Sequence, residues 1–435
     1  PGQFSTIQNA LDACYDGDTV LVGNGIYNDN LIWPQRDKIV LMSVNGSDLT
    51  SIDVWQVDNS MGEYQYRYLS NESAIYIGPD IGSMVIDGFT ITGGSGSNLS
   101  YWSNDYGGGI CVDKNNFISI LDCKLIENGS AGNTYGGAIG IGKFSNAIID
   151  QCIIQNNNGD SEGTAIHFWS EDTSKNIIKN TLIADNHRYN DSYGYAIYNI
   201  GSFINIERST IANNNTAINH SSGNAQGMVI NSSIITDQIS GQPDSLSIKY
   251  SNILNYWNLD SYGVGNISED PKFIAGNPYS YLLQWNSPSI NTADPDYDKD
   301  DLTWESDIDD QDEDGSRLDM GAFPFNPDPS GLELLNKHSL YFDGEQDYIV
   351  GSSASDPIDD FTISLWVYPT ESAGEDDSSP IVIFSGGTTE CNPCIQLNEY
   401  SRIYARTNQV TFYSEQIPLN EWTHIAFTSL QQQMG

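Results

Sequence analysis

The sequence predicts an all-β chain built on a right-handed parallel β-helix, and three observations lead there. The blocks CKLIEN (123–128), CIIQNN (152–157), TLIADN (181–186) and TIANNN (210–215) follow one another at intervals of 29 residues. A fixed period in the twenties marks a solenoid, in which each repeat is one coil stacked on the next. Between Gly108 and Gln238 there are 23 Ile against 3 Leu and no L-x-x-L-x-L frame. That excludes leucine-rich repeats, and β-branched residues in short runs broken by Gly and Asn favour strands. The third observation is a second column in the same register: Ile110, Ile139, Ile166, Ile197 and Ile218 recur in GGGICV, GGAIGI, GTAIHF, GYAIYN and NTAINH. These isoleucines read as inward core, and strand alternation then turns His167 and Tyr198 outward.

Taken in order, residues 1–18 read as a cap. Ser5 and Gln8 form an S-x-x-Q capping box, and Ile7, Ala10, Leu11 and Cys14 share one helical face. A solenoid needs such a cap over its first coil. The β-helix follows over 19–326, with an acidic closing segment at 291–326. Stacked coils put equivalent residues about 4.8 Å apart, so Asn128, Asn157, Asn186 and Asn215 are expected to form an amide ladder, each Asn occupying a left-handed bend. Cys123, Cys152, Thr181 and Thr210 form the small-residue ladder beside it, read as stacked buried thiols and hydroxyls rather than a Cys123–Cys152 disulfide. After a linker at 327–338 the character changes. From 339 to 435 the runs SLYFDG, DYIVGS, TISLWVYP and WTHIAFTS alternate as sandwich strands do.

Two resemblances attach to these stretches. FSTIQNALDACYDGDTVLVGNGIYNDNL, MVIDGFTITGG, GGGICV…ILDCKLIENG and the closing DGSRLDMGAFPF resemble the pectin-lyase-like right-handed β-helix repeat proteins of secreted bacterial origin, over residues 1 to about 325. SLYFDGEQDYIV, DDFTISLWVYPT and NEWTHIAFTS resemble the laminin-G-like (concanavalin-like) jelly-roll module. The chain stops at Gly435, where that module would continue with further strands, so the sandwich reads as incomplete, with an unpaired edge that invites association. The resemblances imply an extracellular or cell-surface bacterial protein that engages a polysaccharide or glycoconjugate. The leading reading is a glycan-binding or adhesive protein with a lectin-like module. The alternative is a polysaccharide lyase or glycoside hydrolase, because this fold hosts both.

Bulk composition narrows the partners. Lys and Arg total 17 against 58 Asp and Glu, a net charge of −41, with only 17% of residues charged. That balance argues against nucleic acid and anionic membranes as partners, because so acidic a chain offers little to neutralise phosphates. No apolar run approaches the roughly 18 residues of a membrane span. The chain opens on Pro1 without a signal peptide and reads as a processed form or fragment. Six Cys are too few for a disulfide scaffold, although Cys391 and Cys394 in CNPC suit a local disulfide.

Loops leaving the Asn ladder emerge at one corner. They bring Tyr101, Trp102, Tyr106, Tyr135, Tyr189 and Tyr193 near Asp160, Glu162, His187, Arg188 and Asp191. Aromatic faces beside hydrogen-bonding groups suit sugars. Catalysis has a thinner basis. His187 and Arg188 are the basic residues of those loops, Glu162 with Asp191 is the acid pair on offer for hydrolysis, and the polygalacturonase-type signatures NTD, GHG and RIK are absent. His167 beside Trp169 reads as an exposed strand pair. DQDEDG (310–315) matches the D-x-D-x-D-G opening of a calcium loop through Asp310, Asp312 and Asp314, but Gly321 stands where the bidentate Glu belongs. Calcium is therefore the one cofactor expected, and no organic cofactor is.

Overall fold

The computed structural model describes residues 4–325, apart from 59–65, 69–71, 130–133, 161, 170–174, 189–193, 222–226, 242–244, 255, 257, 275–280 and 313, and beyond them six strands between Phe361 and Ser429. The chain divides into two units, Pro1–Gly331 and Leu332–Gly435.

In the first unit each of the first eight coils supplies one strand to each of three parallel sheets, and a ninth supplies strands to two of them. Sheet 1 has nine strands, from Thr19–Val22 to Leu246–Lys249; sheet 2 has nine, from Gly25–Tyr27 to Asn252–Ile253; sheet 3 has eight, from Leu31–Ile32 to Ile239–Gly241. This is a parallel β-helix. The isoleucine column stands in register, Ile110 against Ile139, Ile139 against Ile166, Ile166 against Ile197 and Ile197 against Ile218, and all five are fully buried.

Sheets 1 and 2 are joined by a bend whose first residue is left-handed: Asp122, Gln151, Asn180, Arg208 and Ser232 have φ of 49°, 54°, 49°, 41° and 53°. A non-glycine residue pays about 1–2 kcal/mol for this conformation. The residue after each one turns inward and must be small. Cys152 N donates to Thr181 Oγ1 (3.2 Å), Thr181 N to Ser209 Oγ (3.2 Å), Ser209 N to Ser233 Oγ (3.2 Å) and Ser233 N to Ser251 Oγ (3.1 Å). Cys123 and Cys152 are free, buried thiols, and burial pushes both up in pKa.

The amide ladder lies at the exit of sheet 2. Asn128 N donates to Asn157 Oδ1, Asn157 N to Asn186 Oδ1 and Asn186 N to Asn214 Oδ1, each at 3.0 Å, and Asn214 N closes the series on Asp237 Oδ2 at 2.8 Å. Two expectations are corrected. The fourth members of the ladders are Asn214 and Ser209, not Asn215 and Thr210, because Leu182 pairs with Thr210 and that coil is one residue shorter than 29. The ladder asparagines are also not the left-handed residues. That role falls to the residue before each of them, Glu127, Asn156, Asp185 and Asn213, with φ of 54°, 57°, 55° and 53°.

At the N-terminal end a helix over Ile7–Asp12 covers the first coil with Ile7 and Leu11 buried. Its cap is Thr6, whose hydroxyl accepts from Asn9 N at 3.2 Å, rather than Ser5. Gln8 does a different job: its amide bonds both Ile32 N (2.8 Å) and Ile32 O (3.0 Å), satisfying the open edge of sheet 3.

The closing segment packs on the flank instead of adding coils. Asp294 N reaches Ser232 Oγ (3.0 Å), Tyr297 Oη reaches Glu207 Oε2 (2.8 Å), Gly321 N reaches Ser232 O (2.9 Å) and Ala322 N reaches Thr210 Oγ1 (3.0 Å). Leu283, Ala293, Leu318 and Met320 form a small core with Ile234.

In the second unit Phe361–Val367 pairs antiparallel with Thr423–Ser429. Ile381–Ser385, Cys394–Leu397, Arg402–Arg406 and Thr411–Gln416 form a four-stranded antiparallel sheet in that order. The described parts of TISLWVYP and WTHIAFTS, Thr362 to Val367 and Thr423 to Ser429, fall in the first pair. SLYFDG, DYIVGS and Cys391 lie outside the described residues.

Candidate functional site

Two strands interrupt the coil between sheets 2 and 3. Ser97–Leu99 and Trp102–Tyr106 form an antiparallel hairpin, extended in parallel by Thr134–Tyr135 of the next coil. The later loops stack likewise, Asn158 opposite His187 and Gly159 opposite Arg188. The register of the ladder beneath is thus transmitted to the loops above it.

The hairpin lies over the outer face of sheet 3, where Cys111, Gly140, His167 and Tyr198 form one column. Tyr106 stacks on Tyr135 (centroids 5.4 Å apart) and on Trp169 (5.9 Å), and meets His167 edge-on at 5.1 Å. His167 in turn stacks on Tyr198 at 5.5 Å. This corrects the reading of His167 as exposed. Alternation does turn it out of the coil, but the hairpin roofs that face and His167 is 0% exposed. Tyr106 is likewise buried, at 1% exposed, so it supports the cluster and presents no face to a ligand.

Outside this buried layer lies an open one. Trp102 is 42% exposed and meets Trp169 edge-on at 4.8 Å. Tyr101 meets Trp169 at 5.9 Å, its hydroxyl accepts from Lys143 N at 2.7 Å, and Lys143 Nζ sits 5.1 Å from the centre of the Trp169 ring. Asn104 donates to Tyr135 Oη at 3.3 Å. Burial raises the Asp105 carboxyl, while burial and then Asp160 raise Glu162. Arg188 pairs with Asp160 at 3.1 Å, and His187 Nδ1 is buried without a partner. Tyr189, Asp191 and Tyr193 lie outside the described residues. Trp169 and Lys143 were not anticipated as site residues. Trp169 was legible, being two residues after His167 and therefore on the same face of one strand. Lys143 comes from the turn after Ile139–Ile141 and had no sequence signal.

The carboxylates of DQDEDG separate. Asp312 Oδ2 accepts from Asp319 N (2.9 Å) and Asp314 Oδ1 from Ser316 N (2.8 Å), whereas Asp310 Oδ1 accepts from Tyr297 N (2.6 Å). Burial, then Asp319, pushes Asp312 up to about 7; burial first raises Asp319 to about 6.

His167 has a consequence for stability. Neither ring nitrogen has a partner, and burial lowers its pKa to about 3. An unfolded-chain histidine titrates near 6.5. Below that pH the unfolded state binds a proton that the folded state refuses, so this residue's contribution favours unfolding increasingly as pH falls from about 6.5 towards 3. Above about 6.5 it contributes no slope. Denaturant unfolding of wild type and His167→Phe at pH 7 and pH 5 checks this, with an expected relative gain for the variant of about 2 kcal/mol at pH 5. A difference that stays constant between the two pH values would contradict a neutral buried imidazole.

Residues 343–434 match the model of the Concanavalin A-like lectin/glucanases superfamily. The chain joins a right-handed parallel β-helix to a concanavalin-like module. Solved structures similar to it include a pectin methylesterase from Yersinia enterocolitica, at 13% identity and a TM-score of 0.37, covering 65% of this chain and 95% of that one. Another is the pectate lyase Pel9A, at 11% identity and a TM-score of 0.38, covering 74% and 91%. A third is a pectin methylesterase in complex with a hexasaccharide, at 13% identity and a TM-score of 0.35, covering 60% and 89%. No curated protein sequence matches the chain. No helix among the described residues is long and apolar enough to cross a membrane.

Proposed function

We propose that this chain is a glycan-binding protein of the bacterial cell surface or exterior, made of an adhesive β-helix whose aromatic shelf holds a saccharide and of a lectin-like module. The observation that carries the reading is the Trp102 indole, 42% exposed yet held against Trp169 at 4.8 Å. A ring fixed in this way offers a planar apolar face without losing further side-chain freedom on binding. Tyr101, Trp169 and Tyr135 extend the aromatic surface, and Asn104 and Lys143 place polar groups beside it. The module at 343–434 supports a carbohydrate partner independently.

Affinity gels containing polyuronates or neutral glycans test the reading. Wild type is expected to be retained by at least one glycan without shortening it. Trp102→Ala should weaken retention about 30-fold, the loss of roughly 2 kcal/mol typical of a central aromatic anchor, with its melting unchanged. Equal retention of both proteins would reduce the shelf to surface. The rival lyase or hydrolase reading takes over if wild type shortens a polysaccharide and Arg188→Ala or His187→Ala stops it. Against that reading, Arg188 is already paired with Asp160, and freeing it as a base or a uronate partner would break that pair.

A further inference from the structure

The closing segment carries five aspartates that converge although they lie apart in sequence. Among the described residues, one carboxylate oxygen each of Asp296, Asp298 and Asp310 lie within 4.8 Å of one another, and so do those of Asp298, Asp300 and Asp307. The chain brings them together by turning at Asp298 and Asp300, whose Oδ1 atoms accept from Asp300 N (3.2 Å) and Leu302 N (2.8 Å). It then returns through a single 3-10 turn, Ile308–Asp310, capped by Asp307.

Proximity of acidic groups is not by itself a site, since exposed carboxylates crowd together on many acidic surfaces. The first of these groups differs in what is buried. Asp310 is 0% exposed and its Oδ2 has no hydrogen-bond partner, and Asp296 Oδ1 is also buried and unpartnered. A buried, unpaired carboxylate oxygen loses its hydration with nothing in return. None of the ion pairs among the described residues involves Asp296, Asp298 or Asp310. Burial pushes the Asp310 carboxyl up, the bond from Tyr297 N opposes it, and Asp298, Asp307 and Asp296 push it up further. The second group is exposed or half-exposed throughout and has no such orphan.

We infer that Asp296, Asp298 and Asp310 bind one calcium ion in the closing segment. The donors are all carboxylate oxygens with no His or Cys among them, which selects a hard cation. Calcium, with six to eight oxygen ligands and an adaptable geometry, suits carboxylates on an irregular loop better than magnesium with its strict octahedron. The ion gives Asp310 Oδ2 and Asp296 Oδ1 the partner they lack. It also ties the returning 3-10 turn to the stretch around Tyr297, the residue whose hydroxyl holds Glu207 on the coil and whose ring lies under Arg208 at 5.1 Å. The site thereby staples the closing segment to the β-helix. It shares only Asp310 with the D-x-D-x-D-G reading, because Asp312 and Asp314 bond Asp319 N and Ser316 N instead.

Calorimetric titration of the chelator-stripped full chain with calcium chloride tests this. Wild type is expected to take up one ion saturably, with a dissociation constant on the order of 0.1–1 mM, as in extracellular calcium modules. Asp310→Asn and Asp296→Asn should each weaken uptake by about 100-fold, since each removes one of three charged ligands. Asp314→Asn should leave it unchanged. If Asp310→Asn does not fold, Asp296→Asn alone decides. The inference fails if wild type shows no saturable uptake, if Asp296→Asn binds as wild type does, or if Asp314→Asn weakens binding as much as Asp296→Asn.

Discussion

Gly129→Ala is expected to be the most damaging one-carbon change in the β-helix, costing about 3–5 kcal/mol as left-handed strain and overpacking add together. Gly129 follows the ladder residue Asn128 with φ of +85° and donates from its N to Gly94 O at 2.7 Å. A methyl group there would overlap the carbonyl oxygen of Asn158 on the next coil and come within 2.7 Å of Gly137 Cα. Both neighbours are backbone, so neither can swing aside. The Asn158 backbone is further fixed by its own bond from N to Asn128 O at 2.8 Å. Relief therefore requires prying two coils apart. Gly315→Ala is the control. Gly315 has φ of +79° but nothing within 4 Å of the added carbon, so it should pay only the backbone strain of about 1–2 kcal/mol. Urea unfolding of the two variants separates the terms, and equal losses would mean that coil-to-coil contact contributes nothing at Gly129.

The architecture was readable because a solenoid writes its periodicity into the chain, and the isoleucine column kept its register through changes of loop length. The error of one residue at the fourth block has a specific cause. Ser209–Thr210 and Asn213–Asn214–Asn215 offer the same side-chain kinds in two adjacent registers, and only the pairing of Leu182 with Thr210 separates them. The tail was harder. Its hydrogen bonds run to Ser232, Thr210 and Glu207, far away in sequence, and no local pattern foretells which flank a segment with little regular structure will cover.

At the candidate site, sequence located the aromatic residues but not their layering. Tyr106 and Trp102 differ by four positions in one strand, yet one is roofed and the other open. The difference depends on the hairpin folding back over sheet 3, a long-range event. His167 shows the same limit. Alternation fixes the side of the strand, whereas burial depends on what another segment places there. The acidic segment shows it again, since Asp310 finds Asp296 and Asp298 across a turn and not its neighbours in DQDEDG.

Asn157 is the position where the ladder can be set apart from the bend. It is 1% exposed, and its Nδ2 donates to Leu125 O (2.8 Å), Gln155 O (3.1 Å) and Asn186 Oδ1 (2.9 Å), while its Oδ1 accepts from Asn128 N (3.0 Å). Asn157→Ala strands Asn128 N and Leu125 O in a dry interior. At about 1–3 kcal/mol for each buried group left unpaired, the expected loss is about 3–5 kcal/mol. If asparagine were needed here for a left-handed bend, Asn157→Gly would be tolerated, because glycine takes that conformation at no steric cost. The structure puts that conformation one residue earlier, at the exposed Asn156 with φ of 57°. Asn157→Gly should therefore lose at least as much as Asn157→Ala, whereas Asn156→Gly should leave stability within about 1 kcal/mol of wild type or slightly above it. Chemical unfolding of the three variants decides the matter. A stable Asn157→Gly beside a crippled Asn156→Gly would return the asparagine to the bend and leave the amide ladder without a role in holding the coils together.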